Sequence, residues 1–195
     1  YVGPPDRYDL MSGMQFRLLS GLGIREHHKV LDFGCGSLRA GRLLIPYLQS
    51  GCYFGVEPNQ WLIDEAISRQ LGGDILQIKS PTFSNNSDFK VPYNDVEFRF
   101  IIAQSIFTHT GLELIKETLY EFKRVLAKRG VIVATFSIKD NADDFSGDGW
   151  VYPQCVSYKI DTLITSAKDA GMSMIQIPFF HPSLRWFLIA KDRSY

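Results

Sequence analysis

The chain has 195 residues, 45% hydrophobic and 22% charged, a composition that suits one globular domain over 1–195 with a sizeable core. Its 21 basic residues balance 21 acidic ones, so no whole-chain field would draw in a polyanion, and a broad nucleic-acid surface is not expected. No apolar run approaches the length of a membrane segment, and the start lacks the order of a signal peptide. Cys35, Cys52 and Cys155 have no metal-ligand spacing, and their odd number suits a reducing compartment, so a cytoplasmic location is expected. No heptad or repeat offers a handle on oligomeric state.

Residues 1–23 open with Gly3-Pro4-Pro5, which reads as an irregular arm, and a helix is predicted over 12–20. Val30, Leu31 and Phe33 then make a short apolar strand, and Gly34 and Gly36 follow where the chain must turn sharply and pass close to a ligand. Ser37 is placed to N-cap a helix whose Leu44, Tyr47 and Leu48 face a sheet, with Pro46 shortening its last turn and Gly51 ending it. A second strand over 52–56 ends in Glu57, followed by Pro58. Strand, Gly-rich turn, helix, strand and acid make a nucleoside-binding unit, with the Glu57 carboxylate able to accept two hydrogen bonds from a ribose diol. A dinucleotide fingerprint needs a third glycine where this chain has Arg39, which argues against NAD or FAD.

Asn59 is predicted to cap a helix carrying Leu62, Ile63, Ala66 and Ile67, stopped at Gly72-Gly73. A third strand is predicted over 75–78, and 79–96 is polar and irregular. A buried fourth strand over 98–103 runs into Gln104, Ser105 and, a little further, His109, at the strand end where open parallel sheets bind ligands. Thr110 and Glu113 have the spacing of a capping box for a helix through Leu126, closed by Gly130. Lys123, Arg124, Lys128 and Arg129 collect at its end as solvated, dipole-matched charge. Strand 131–136 precedes a loop with Asp140, Asp143, Asp144 and Asp148, whose spacing is not that of a calcium loop; a flap with no metal is expected. Ser157 caps a helix over 159–170, and strands over 172–179 and 185–191 close the chain around His181-Pro182-Ser183.

The run Val30-Leu31-Asp32-Phe33-Gly34-Cys35-Gly36 resembles the first motif of class I S-adenosylmethionine-dependent methyltransferases, departing from it at Leu38, where the family often has a further glycine. The resemblance covers almost the whole chain, most like a bacterial small-molecule or glycan-directed subgroup. It implies an α/β fold, a Rossmann-like three-layer sandwich with a seven-stranded, mostly parallel sheet and an antiparallel last strand. It also implies S-adenosyl-L-methionine as cofactor, with Asp32, Gly34, Cys35, Gly36, Arg39, Glu57 and Pro58 around it. Ser87 or Asp88 would take the adenine amino group, and Gln104 and Ser105, beyond the fourth strand, would lie at the reaction centre. The 1–23 segment would fold over as a lid, bringing Tyr8 and Gln15. Arg39 meets either the methionine carboxylate or a structural acid, and Cys35 is there for its small size.

The expected reaction is methyl transfer to a hydroxyl or amino group of a small molecule, including sugars, with His109 as general base or, alternatively, as a turn-fixing residue. His181 has a smaller claim, and Tyr152, Phe180 and Trp186 either line an acceptor pocket or fill the core. The rival from another class is a non-catalytic cofactor-binding or partner-binding domain.

Overall fold

The computed structural model describes residues 5–140 and 143–191, and the chain divides into two compact units, residues 1–87 and 88–195. Seven strands form one mixed sheet: β3-β2-β1 in the first unit and β4-β5-β7-β6 in the second. β7 runs antiparallel to β5 and β6, and β1–β2, β2–β3 and β4–β5 are parallel, so the seven-stranded α/β architecture with an antiparallel last strand is present. Among the described residues no helix is long and apolar enough to cross a membrane.

In the first unit, α1 (Tyr8–Gly21) is longer than predicted and buries Met11, Met14, Leu18 and Leu19 at helical spacing. β1 (Val30–Phe33) is buried at all four positions and pairs in register with β2 (Tyr53–Val56), as a strand covered on both faces should. Ser37 does not cap the next helix. Residues 36–40 continue as turns, and α2 (Gly41–Tyr47) begins after Ala40, ending one residue past Pro46. Gly41 has no room for a side chain, because a Cβ there would lie 2.7 Å from the Tyr53 hydroxyl. α3 (Gln60–Ala66) passes into a π-helical turn, Ile67–Leu71, that Gly72 terminates. The strand predicted over 75–78 is instead α4 (Asp74–Lys79), which buries none of its residues. A four-residue apolar run carries no period that separates helix from strand. The third strand is β3 (Thr82–Ser84), reached after Ser80 turns the chain at φ 44°, and Phe83 lies against Gly55 of β2, where a Cβ would be 2.8 Å from its ring.

In the second unit, β4 (Phe98–Ala103) falls where the sequence puts it. A 3-10 turn, Phe107–His109, leads into α5 (Leu112–Val125), whose N-cap is Gly111. The capping box does not form, because the Thr110 hydroxyl donates to the Ile106 carbonyl instead. β5 (Leu126–Phe136) starts well before the predicted strand, so Lys128 and Arg129 belong to it and not to a helix end. The extra length is taken up in an irregularity, with Phe98 opposite Leu126 but Phe100 opposite Val131. α6 (Ile160–Asp169) is capped by Asp144, not Ser157: its Oδ1 accepts from Lys159 N and its Oδ2 from the Thr162 hydroxyl. β6 (Met172–Ile177) and β7 (Arg185–Lys191) close the unit. A chain of rings, Phe122, Phe107, Phe136 and Phe187, with centroids 5.0 to 6.2 Å apart, anchors the 3-10 turn in the core. Trp186 is fully buried there and fills core, whereas Phe180 is exposed.

Candidate functional site

In the first unit the turn after β1 has Gly34 at φ 74° and Gly36 at φ 53°, backbone that a side chain would strain. The amides of Gly34 and Cys35 both donate to the Val56 carbonyl, which ties the turn to the end of β2. Glu57, the next residue, is 7% exposed and turns its carboxylate toward this bend. Its Oε2 accepts from Gly36 N at 3.1 Å, and its Oε1 accepts from Asn59 N at 2.9 Å and Asn59 Nδ2 at 2.8 Å. Asn85 Nδ2 donates to the Glu57 carbonyl. The Asn59 side chain is therefore used on Glu57 and makes no cap for α3. A carboxylate has about four acceptor positions, so this one keeps capacity for further donors. Pro58 beside it is exposed.

Leu38 adopts φ 56° and is fully buried. The loop thus keeps a left-handed conformation at the position where the resembling motif often has glycine, and an apolar side chain holds it there. Leu38→Gly is expected to relieve about 1 kcal/mol of backbone cost but lose the burial of a full leucine, a net destabilisation of about 2–3 kcal/mol in urea unfolding.

Asp32 is buried under the loop and accepts from the Tyr53 hydroxyl at 2.8 Å. Burial pushes its carboxyl up from 3.8 to about 6, against the Tyr53 hydrogen bond and the Arg39 charge, with Glu57 adding to the rise. Arg39 is buried close enough to Asp32 for the two charges to act on each other, which favours its structural-acid alternative. The Cys35 thiol is buried and its pKa driven well up, chiefly by burial, so it is no nucleophile; its Sγ fills the space beside Gly55.

Because the folded chain holds the Asp32 proton more tightly than the unfolded one, this residue's contribution to stability is full below pH 3.8 and is lost as pH rises through about 6. At about 1.4 kcal/mol per pH unit the whole loss is about 3 kcal/mol. Between pH 4.5 and 7.5, Asp32→Asn should gain about 2 kcal/mol on the wild type in urea unfolding; parallel pH profiles would refute the assignment.

Helix α1 lies along the glycine turn. The Tyr8 hydroxyl donates to the Ser37 carbonyl at 2.6 Å, the Arg42 guanidinium sits 5.0 Å over the Tyr8 ring, and Arg42 Nε donates to the Ser12 hydroxyl. Gln15 follows on the same helical face as Tyr8 and Ser12. It is buried, and its Oε1 meets no hydrogen-bond donor among the described residues. Ser87 is exposed at the end of this unit.

In the second unit Asp88 is exposed and accepts from Lys90 N. Ser105 sits at φ 59°, a strained conformation at the tip of β4, held by its N–H to the Thr135 hydroxyl at 2.8 Å. Gln104 is buried, its amide nitrogen 3.4 Å from His181 Nε2. His181 Nδ1 accepts from Ser183 N and Leu184 N, so the neutral ring carries its proton on Nε2. Turning the Gln104 amide would give that proton an acceptor, Oε1. His109 Nδ1 lies 2.7 Å from the Gln154 carbonyl. A carbonyl only accepts, so Nδ1 carries the hydrogen and Nε2 the lone pair. The Gln154 contact fixes the turn, as one alternative for His109 requires, and it leaves Nε2 in the form a base needs.

Tyr53, Asn59, Asn85, Thr135 and Gln154 support these groups and escape sequence reasoning. Asn59, two residues beyond Glu57, carried a local signal; for the others the partner lies 21 to 45 residues away.

The glycine turn, the acid after β2 and the strand order define a class I methyltransferase fold. The chain superposes on magnesium protoporphyrin IX methyltransferase of Synechocystis PCC 6803 with bound S-adenosylmethionine, with TM-score 0.69 and 13% identity over 98% of this chain and 87% of that one. It also superposes on an S-adenosylmethionine-dependent methyltransferase of Clostridium acetobutylicum, with TM-score 0.68 and 12% identity over 98% and 94%. In sequence it is 28% identical over 146 residues to an uncharacterized methyltransferase of Schizosaccharomyces pombe, covering 73% of this chain. The chain spans about half the length of that relative, 49%. No family model matches the chain.

Proposed function

We propose that residues 1–195 act as one S-adenosylmethionine-dependent methyltransferase domain, transferring a methyl group to a hydroxyl or amino group of a small-molecule acceptor. One observation carries this: a buried carboxylate, Glu57, directed at a turn of two left-handed glycines and already 3.1 Å from the Gly36 amide. The residues fit the cofactor. Glu57 has acceptor capacity for a ribose diol, the turn leaves bare backbone for close approach, and Gln15 offers a buried oxygen with no donor among the described residues, which an ammonium group would supply. Ser87 or Asp88 would accept from the adenine amino group, and Gln104 and Ser105, beyond the fourth strand, are assigned to the reaction centre. S-adenosylmethionine supplies a methyl group already activated by its sulfonium.

The protein's part is therefore to orient the acceptor, exclude water and take a proton. His109 Nε2 takes it, its tautomer set by the Gln154 carbonyl. Free thiols at Cys35, Cys52 and Cys155 agree with a cytoplasmic setting.

Calorimetric titration with S-adenosylhomocysteine and with NAD tests the assignment. Binding of the homocysteine adduct at micromolar concentration is expected; NAD binding without it would overturn the proposal. Tight binding with no consumption of S-adenosylmethionine across a broad acceptor panel would favour a non-catalytic cofactor-binding domain.

A further inference from the structure

The second unit carries an exposed aromatic surface that proton transfer to His109 does not account for. Trp150 is 46% and Tyr152 62% exposed. Their rings lie 11° from parallel with centroids 6.1 Å apart. The His109 ring stands across both, 5.5 Å from Trp150 and 5.0 Å from Tyr152, and Phe89 leans on Trp150 at 5.6 Å.

These rings are held in place by backbone. Gly111 N donates to the Gly149 carbonyl, Val151 N to His109 and Val156 N to Thr108, each at 2.8 Å. Thr110 and Trp150 form an antiparallel bridge. A Cβ on Gly111 would overlap the Asp148 backbone, so the two segments are packed without a gap.

The segment that carries Trp150 and Tyr152 is acidic, while Lys90 follows Phe89 and Lys159 Nζ stands 3.9 Å from Asp143. Residues 143–158 contain Asp143, Asp144 and Asp148 and no lysine or arginine. Asp148 is exposed, two residues before Trp150, with its Oδ1 fixed by Gly149 N at 2.7 Å. Tyr158 donates its hydroxyl to the carbonyl of Thr110, next to His109, and lies near enough to Asp144 and Asp148 for their charges to add to the effect of its burial in raising its pKa to about 12.

We propose that this surface receives an alkylammonium group carried by the methyl acceptor, so that the substrate class is an amine; this rests on the methyltransferase assignment above. An ammonium is attracted to the negative faces of the rings and to the Asp148 carboxylate, whereas a neutral hydroxylated compound gains from neither charge and an anion is repelled. A proton leaving the ammonium passes to Nε2 of His109, and the nitrogen keeps the lone pair that methylation requires.

The test needs no turnover. The intact protein is titrated with choline and with its neutral carbon isostere, 3,3-dimethyl-1-butanol, following the indole N–H resonances by NMR. Choline is expected to bind at least about five-fold more tightly than the isostere. Trp150→Ala and Asp148→Asn should each weaken choline about three- to ten-fold, while Trp150→Phe, which keeps a ring, should stay within about two-fold of wild type. Equal binding of choline and its isostere, or choline binding indifferent to both Trp150→Ala and Asp148→Asn, overturns the proposal. Titration with S-adenosylhomocysteine alongside separates the two assignments. Adduct binding without choline binding sinks the amine site alone. Choline binding with the expected variant losses but no adduct binding leaves the cation surface standing and sinks the methyltransferase reading.

Discussion

Glu57→Ala should reduce affinity for S-adenosylhomocysteine by about 100-fold or more. Two charge-assisted hydrogen bonds to a ribose diol are worth about 1.5–3 kcal/mol each before coupling, and removing the carboxylate takes both. The same change withdraws the acceptor from Gly36 N, Asn59 N and Asn59 Nδ2, so the glycine turn loses the contact that braces it. Glu57→Gln keeps one oxygen and the side-chain length but presents a donor where an acceptor is needed. A loss of about ten- to thirty-fold is expected from it. Titration calorimetry of both variants, with circular dichroism to confirm folding, reads the result. Wild-type affinity in the alanine variant would remove the foundation of the functional assignment.

His109→Ala should lower kcat by about 100-fold or more and leave S-adenosylhomocysteine affinity within about two-fold. The reason is local: Nδ1 is committed to the Gln154 carbonyl at 2.7 Å, which leaves Nε2 as the basic nitrogen. His109→Gln restores a hydrogen-bond donor toward Gln154 without a basic nitrogen, so it should recover fold stability but not turnover. If His109→Gln recovered turnover as well, the histidine would be a turn-fixing residue and nothing more. Steady-state kinetics under saturating cofactor, with any amine or alcohol acceptor that the wild type accepts, distinguishes the two outcomes.

Much of the scaffold was legible because its signals are local. Val30, Leu31 and Phe33 followed by Gly34 and Gly36 read as strand and turn, and the 98–103 run read as the fourth strand, bounds included. The errors fall where another hydrogen bond or turn, near in sequence or far, overrode a local preference. Ser37, Thr110 and Ser157 all have the chemistry of caps, and none is used as one. Ser37 lies in a turn that continues to residue 40, Thr110 prefers the Ile106 carbonyl, and Asp144 already occupies the start of α6 from outside the helix. The run over 75–78 became helix, while the sheet edge went to Thr82–Ser84, whose Phe83 lies against the bare backbone of Gly55.

By itself the sequence determined the order of elements outside 74–84, the glycine turn and the presence of an acid after the second strand, since backbone freedom and apolar periodicity are properties of neighbouring residues. It could not determine where the Glu57 carboxylate turns, which nitrogen of His109 carries the proton, or that Trp150 and Tyr152 stand beside that ring. Those were decided by the tertiary structure, because a side chain's hydrogen bonds and ring contacts depend on groups that only folding brings within a few ångströms.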